Sequence, residues 1–141
     1  MHGYAISTDS GRLDRRRVHA FLTDSYWSPG VPFDVVDRSI ERSLCFGLYA
    51  PDGSQAGFAR AVTDGAQFAY LADVFVLEPH RGRGLGKWLV ETVLAHPDLT
   101  AARRIVLATA DAHSLYERFG FRPADPGRVM ELVRSPEDIW D

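Results

Sequence analysis

Three apolar segments separated by two tight-turn signals restrict this chain more than any other feature. Residues 44–50, 55–63 and 66–77 each read as strands. Between them stand Pro51-Asp52-Gly53, where Gly53 supplies the positive φ of a turn, and Asp64-Gly65, a strong hairpin signal. Connections this short join antiparallel neighbours, so the middle of the chain is an antiparallel meander. The N-terminal flank is different. Val18, Phe21, Leu22 and Tyr26 recur at helical spacing from Asp14 to Tyr26, until Ser28-Pro29-Gly30-Val31-Pro32 breaks the pattern. A second helix is expected over residues 34–43, with Val36, Ile40 and Leu44 as its apolar stripe, and a short first strand over residues 4–8.

After the meander, Leu85, Leu89 and Val93 form one row of a helix over residues 85–96, with Val90 and Leu94 beside it and Pro97 as its stop. Residues 104–109 read as a strand whose Ile105-Val106-Leu107 run suggests burial on both faces. Asp111 is expected to cap the next helix, which carries Ala112, Leu115, Tyr116 and Phe119 on one side. Gly120 suits the left-handed position that follows, with Phe121 folding back, and a last strand is expected over residues 129–133. Helices, then a meander, then β-α-β-α-β predict an α/β (α+β) fold: a mixed, mostly antiparallel sheet flanked by helices.

The bulk numbers fit one domain over residues 1–141, 45% hydrophobic and 25% charged, enough for an ordinary core. A formal charge of −3 supplies no basic field for nucleic acid. Cys45 is alone and none of the five histidines pairs at metal-ligand spacing, so neither a disulfide nor a metal is expected. No stretch has the length of a membrane span and the N-terminus lacks the apolar core of a signal peptide. A cytoplasmic protein with no membrane partner is the expectation.

Chemistry concentrates at Arg81-Gly82-Arg83-Gly84-Leu85-Gly86, between a strand and a helix. Glycines there let backbone N–H groups approach an anion, and the helix dipole favours negative charge at that end. Arg81, Arg83 and Lys87 add positive charge, which makes this a phosphate site. Two phosphate loops fail on spacing. The P-loop needs four residues between its glycines and Ser or Thr after the lysine, where this chain has Trp88. The dinucleotide fingerprint needs G-x-G-x-x-G inside a βαβ unit, where this chain has G-x-G-x-G after a meander.

Arg81-x-x-Gly84-x-Gly86, entered from Val74-Phe75-Val76-Leu77-Glu78-Pro79, resembles the acetyl-CoA motif of the GNAT superfamily of N-acyltransferases. Some thirty residues on, Leu115-Tyr116-Glu117-Arg118-Phe119-Gly120-Phe121 resembles the second GNAT signature. The resemblance spans roughly residues 44–133. It implies splayed strands forming an acyl-CoA cleft, with the pyrophosphate of acetyl-CoA held by Arg81, Gly82, Arg83, Gly84, Gly86 and Lys87. It also implies direct transfer of the acyl group to a primary amine of a small molecule or protein. A free backbone N–H within Val74–Val76 would meet the thioester carbonyl. Tyr116 matches the tyrosine that protonates the departing thiolate; its bland alternative is a core aromatic. Relatives often pair as dimers, so a homodimer is one possible assembly, although the sequence does not fix the oligomeric state.

This sequence departs from the family at two places. Some relatives carry a glutamate as base where this chain has Ala72, and many carry an asparagine where it has Thr109. Strand alternation aims the adjacent Asp73 at the opposite face unless a bulge intervenes. Deprotonation is therefore expected through water, with Asp73 or Tyr70 assisting. His113 is expected at the surface or cleft edge, and Cys45 in the core rather than as a nucleophile. The amine is expected against residues 25–33, where Tyr26, Trp27 and Phe33 crowd a connection that ought to be polar, together with the far side of the strand over residues 68–73, which carries Tyr70; Asp73 or Glu41 could supply a counter-charge. A non-catalytic acyl-CoA sensor is the rival reading. Tyr116 speaks for the enzyme and Ala72 for the sensor.

Overall fold

A computed structural model describes residues 1–140. The chain divides into two compact units, Met1–Ala108 and the residues from Thr109 onward. The first unit holds one five-stranded sheet in sequential order. Its strands are β1 (Ala5–Ser7), β2 (Leu44–Tyr49), β3 (Gln55–Thr63), β4 (Phe68–Val76) and β5 (Arg104–Val106). Strands β1 to β4 are antiparallel neighbours, and β5 joins β4 in parallel. The expected meander is present, and the sheet is mixed and mostly antiparallel.

Helices α1 (Arg15–Thr23) and α2 (Phe33–Glu41) precede the meander, and α3 (Leu85–Ala95) and α4 (Pro97–Thr100) follow it. Asp14 caps α1, its carboxylate accepting from the Arg17 N–H. One face of the sheet carries Leu48 and Val76 and packs on Leu85 and Trp88 of α3. Cross-strand register puts Gly47, Phe58 and Phe75 on the other face. There Phe21 of α1 stacks on Phe75 with ring centroids 4.0 Å apart. Pairs of this kind add about 0.5–1.5 kcal/mol beyond simple burial. Of the predicted stripes of the first two helices, Val18, Leu22, Val36 and Ile40 are buried, whereas Phe21 is half-buried, Tyr26 is exposed and Leu44 begins β2.

The register of β3 on β4 slips between Phe58 and Arg60. Phe58 pairs Phe75 and Arg60 pairs Ala72, so Asp73 and Val74 together oppose Ala59. This is a β-bulge, and Asp73 takes its left-handed position at φ 56. Aspartate is among the few residues other than glycine that tolerate this conformation. The extra residue matters for the core. It puts Phe75 and Ala72 on one face while Leu71 and Ala69, both buried, line the other.

Several expectations need correction. α1 ends at Thr23, leaving Tyr26 outside it, and Pro97 opens α4 as well as closing α3. β5 is a short edge strand, with Arg104 exposed and Ile105 and Val106 half-buried, rather than a strand covered on both faces. In the second unit, the helix α5 (His113–Glu117) is only five residues long. Asp111 does not cap it, and no other described side chain does; Thr109 Oγ1 accepts from the N–H of Ala112, the cap residue itself, at 3.0 Å. The strand expected over residues 129–133 does not form, and those residues are exposed. The N–H groups of Arg128 and Val129 turn back onto the Asp125 carbonyl, and that of Gly127 onto its carboxylate. An apolar run alone does not make a strand: here the local turn onto Asp125 takes the backbone instead. A final turn, α6 (Pro136–Ile139), follows. No helix among the described residues is long and apolar enough to cross a membrane.

Candidate active site

The parallel pairing of β5 on β4 stops at Tyr70 and Val106. β5 ends there, and β4 continues to Val76 with no strand on that side among the described residues. The Leu77 N–H returns to the Ala56 carbonyl at 2.8 Å. Alternation then turns the N–H and C=O of Val76 toward the open edge. Its carbonyl accepts from Arg81 Nε at 2.8 Å, while the N–H faces the open side. Val74 and Val76, read from the sequence as the acyl-carbonyl segment, thus sit on an unpaired edge.

The glycine turn abuts the end of that edge. A Cβ built on Gly86 would stand 3.9 Å from Val76 Cγ2. Gly82 and Gly84 both have positive φ, 79° and 77°, and Gly84 is the N-cap of α3. No side chain caps this helix, and its first backbone bond runs from the Trp88 N–H to the Gly84 carbonyl. The N–H groups of Leu85, Gly86 and Lys87 therefore precede the ladder and point outward along the axis. A Cβ on Gly82 would meet nothing within 4 Å, so the mouth of the turn is open. Arg83 and Lys87 are exposed beside it, and Arg81 spends its Nε on the strand while its terminal nitrogens stay at the surface. Helix dipole, open amides and three cations converge on one point, which suits a pyrophosphate.

On the face of α1 and α2, the bulge puts Asp73 on the same side as Ala72 rather than the opposite one. Its Oδ1 accepts from the Trp27 indole N–H at 3.0 Å, and its Oδ2 from Arg60 Nε at 2.9 Å. Trp27 meets Tyr26 edge-on at 5.1 Å. Three sequence candidates, Tyr26, Trp27 and Asp73, are thus brought together. Tyr70 lies further back on β4, exposed on the face shared with Ala72. Glu41 is engaged elsewhere, ion-paired with Arg15 at 2.7 Å. Phe33 opens α2 and packs edge-on against His19, away from this cluster.

Sequence reasoning missed Arg60. Its signal was present: an arginine inside the apolar strand Gln55–Thr63 demands a buried counter-charge. It also missed the Tyr4 hydroxyl, 2.8 Å from Nδ1 of His80 immediately before the glycine turn. Cys45 is buried, and that burial pushes its thiol up to about 11, partly offset by the guanidinium groups of Arg60 and Arg15. A thiol so protonated is no nucleophile at neutral pH.

Tyr116 belongs to the second unit and is largely buried there, its ring 5.7 Å from that of Phe121. Gly120 at φ 92 lets the chain turn, and the Phe121 N–H reaches back to the Tyr116 carbonyl at 3.2 Å. This is the predicted C-terminal fold-back. His113 is the exposed first residue of α5. Among the described residues no group of His, Cys, Asp and Glu is gathered to hold a metal ion.

Comparison with known proteins agrees with this architecture. A candidate acetyltransferase of the GNAT family from Xanthomonas campestris pv. campestris, solved as a crystal structure, is 49% identical with a TM-score of 0.90, covering 93% of each chain. A candidate acetyltransferase of Gibberella zeae is 32% identical, over 80% of this chain and 75% of that one. A GNAT acetyltransferase from Elizabethkingia anophelis, solved with acetyl-CoA bound, shares the fold at a TM-score of 0.65 and 15% identity, over 89% of this chain and 80% of that one. The family model for the acetyltransferase (GNAT) family matches residues 14–121, and this chain belongs to that family.

Proposed function

We propose that this protein transfers an acetyl group from acetyl-CoA directly to a primary amine of a small molecule or a protein. The observation that carries the reading is the uncapped, glycine-framed start of α3 lying against the unpaired edge of β4. The first suits a pyrophosphate, and the second suits an extended arm ending in a thioester. Acetyl-CoA has both parts. The acetyl-CoA held by the Elizabethkingia anophelis relative supports this choice of donor.

The pyrophosphate lies on the amides of the Gly82–Lys87 turn, with Arg81, Arg83 and Lys87 around it. The carbonyl of the thioester faces the backbone of Val74–Val76, where an N–H stabilises the negative charge of the tetrahedral species. The C–N bond forms to give that species, and the C–S bond breaks as it collapses to amide and thiolate. The ammonium gives its proton to water, with Asp73 or Tyr70 assisting. Each oxygen of Asp73 already holds one donor, and a carboxylate oxygen has room for a second. Tyr116 supplies the proton that the thiolate needs; a phenol matches a thiol in basicity well enough for that exchange. The ammonium approaches Trp27 and Tyr26, whose exposed rings offer about 0.5–2 kcal/mol of cation–π attraction. Residues 1–141 act as a single acetyltransferase domain in the cytoplasm, with no metal, nucleic-acid or membrane partner.

Titration calorimetry with acetyl-CoA and with ATP tests the donor. Acetyl-CoA is expected to bind and ATP to bind far more weakly, because a triphosphate cannot use the β4 edge. Equal affinities would overturn the reading.

A further inference from the structure

Resting on the acyl-transfer reading above, we propose that Arg60 is a positioning residue for the acceptor side of the site. It acts through Asp73 to fasten Trp27, and with it the connection between α1 and α2, to the bulge of β4. The chain of contacts is short. Ser43 Oγ accepts from Arg60 Nη1 at 3.2 Å, Asp73 Oδ2 accepts from Arg60 Nε at 2.9 Å, and Asp73 Oδ1 accepts from Trp27 Nε1–H at 3.0 Å. The Arg60 and Asp73 side chains are 19% and 11% exposed, so their pair is far less screened than a surface ion pair. Removing either partner leaves the other charge uncompensated.

Trp27 is 40% exposed, yet it spends its only donor on this shielded carboxylate. An indole held that way has its ring aimed outward at a fixed angle. A second line runs in parallel. Trp27 packs on Phe21 at 6.0 Å, and Phe21 stacks on Phe75. Asp73 and Phe75 flank Val74, so Trp27 is tied to β4 on both sides of the first residue of the acyl-carbonyl segment. The left-handed φ of Asp73 completes the device, since few other side chains could occupy that backbone and also reach an indole. Arg60 touches neither substrate in this scheme. It holds the carboxylate that holds the ring.

The indole N–H resonance of Trp27 reads this latch in the absence of any substrate. It is assigned among the three tryptophans by its disappearance in Trp27→Phe. Arg60→Gln and Asp73→Gly, the latter keeping the positive φ, are expected to shift the resonance and speed its solvent exchange about tenfold, as for loss of one charge-assisted hydrogen bond. Arg60→Lys should restore most of the protection. Asp73→Asn, which keeps an oxygen for the indole and tolerates the backbone, should give an intermediate value and serves if Arg60→Gln fails to fold. Calorimetric affinity for acetyl-CoA should stay within about twofold in Arg60→Gln, because Arg60 acts on the other side of β4 from the glycine turn. For any amine among spermidine, kanamycin, lysine and an alanyl peptide that the wild type acetylates, KM should rise about tenfold, again one such hydrogen bond, in Arg60→Gln. An unmoved Trp27 resonance in folded Arg60→Gln, or an unchanged amine KM, overturns the proposal. If acetyl-CoA fails to bind or no amine is acetylated, the acyl-transfer reading falls instead, and the indole result alone judges the latch.

Discussion

Alanine at Gly84 and alanine at Gly53 impose nearly the same backbone strain at two unrelated places. Gly84 has φ 77 and Gly53 has φ 89. A Cβ on Gly53 meets nothing within 4 Å, and one on Gly84 meets only Met1 Cε at an ordinary 3.5 Å. Neither substitution clashes, so each costs the left-handed penalty of an L-residue, about 1–2 kcal/mol. For a chain of 141 residues, at roughly 3–4 °C per kcal/mol, that lowers Tm by about 3–8 °C in both variants. Their effects on acetyl-CoA should differ. At Gly84 the methyl group stands at the N-cap of α3, where the pyrophosphate must approach the open amides. Disturbing one such charge-assisted bond costs about 1.5–3 kcal/mol, or roughly 10–150-fold in Kd. At Gly53, in the turn between β2 and β3, affinity should stay within about twofold, because the site is remote. Thermal melts and calorimetry on the same preparations provide both numbers. Equal losses of affinity in the two variants would mean that strain rather than anion contact explains Gly84, and the phosphate cradle would be refuted.

Tyr116→Phe keeps the ring against Phe121 and removes the phenol, so kcat should fall roughly 10²–10³-fold with little change in acetyl-CoA affinity. Turnover at the wild-type rate, with chemistry shown to be rate-limiting, would remove Tyr116 from the mechanism. Cys45 makes a pH prediction. Its thiol, raised by burial from 9.0 to about 11, stays protonated in the folded chain while the unfolded chain ionises. Stability from this group is complete below pH 9 and is lost as pH rises toward 11, by up to about 2–3 kcal/mol. Cys45→Ala should flatten the fall of Tm over that window relative to wild type. Identical curves, or rapid reaction of native Cys45 with a disulfide reagent at pH 8, would contradict its burial.

The meander was legible because its turns carry explicit chemistry, Pro51-Asp52-Gly53 and Asp64-Gly65, and its strands are long and apolar. The glycine turn was legible for the same reason: positive φ at Gly82 and Gly84 leaves a mark in the sequence. The bulge was only half legible. Alternation raised the question of where Asp73 points, but nothing local says that one residue of β4 is left over against Ala59; that is decided by pairing across the sheet. Arg60 was overlooked because its meaning lies in a partner thirteen residues away in sequence. The C-terminal strand was misread because an apolar run at residues 129–133 does not reveal that the Arg128 and Val129 N–H groups turn back onto Asp125. Asp111 looked like the cap of α5 by type and position, yet the cap position falls one residue later, on Ala112, whose N–H turns back to Thr109 Oγ1.

Release of free CoA thiol is the most direct test of the central claim. Wild-type protein is mixed with acetyl-CoA and, in turn, with spermidine, kanamycin, lysine or an alanyl peptide, and the thiol is followed by its reaction with a chromogenic disulfide. Acyl transfer predicts release that requires both protein and at least one amine, saturates in each substrate, and is matched mole for mole by N-acetylated product. Tight binding of acetyl-CoA with no amine-dependent release across a broad amine panel would contradict it and mark the protein as an acyl-CoA sensor.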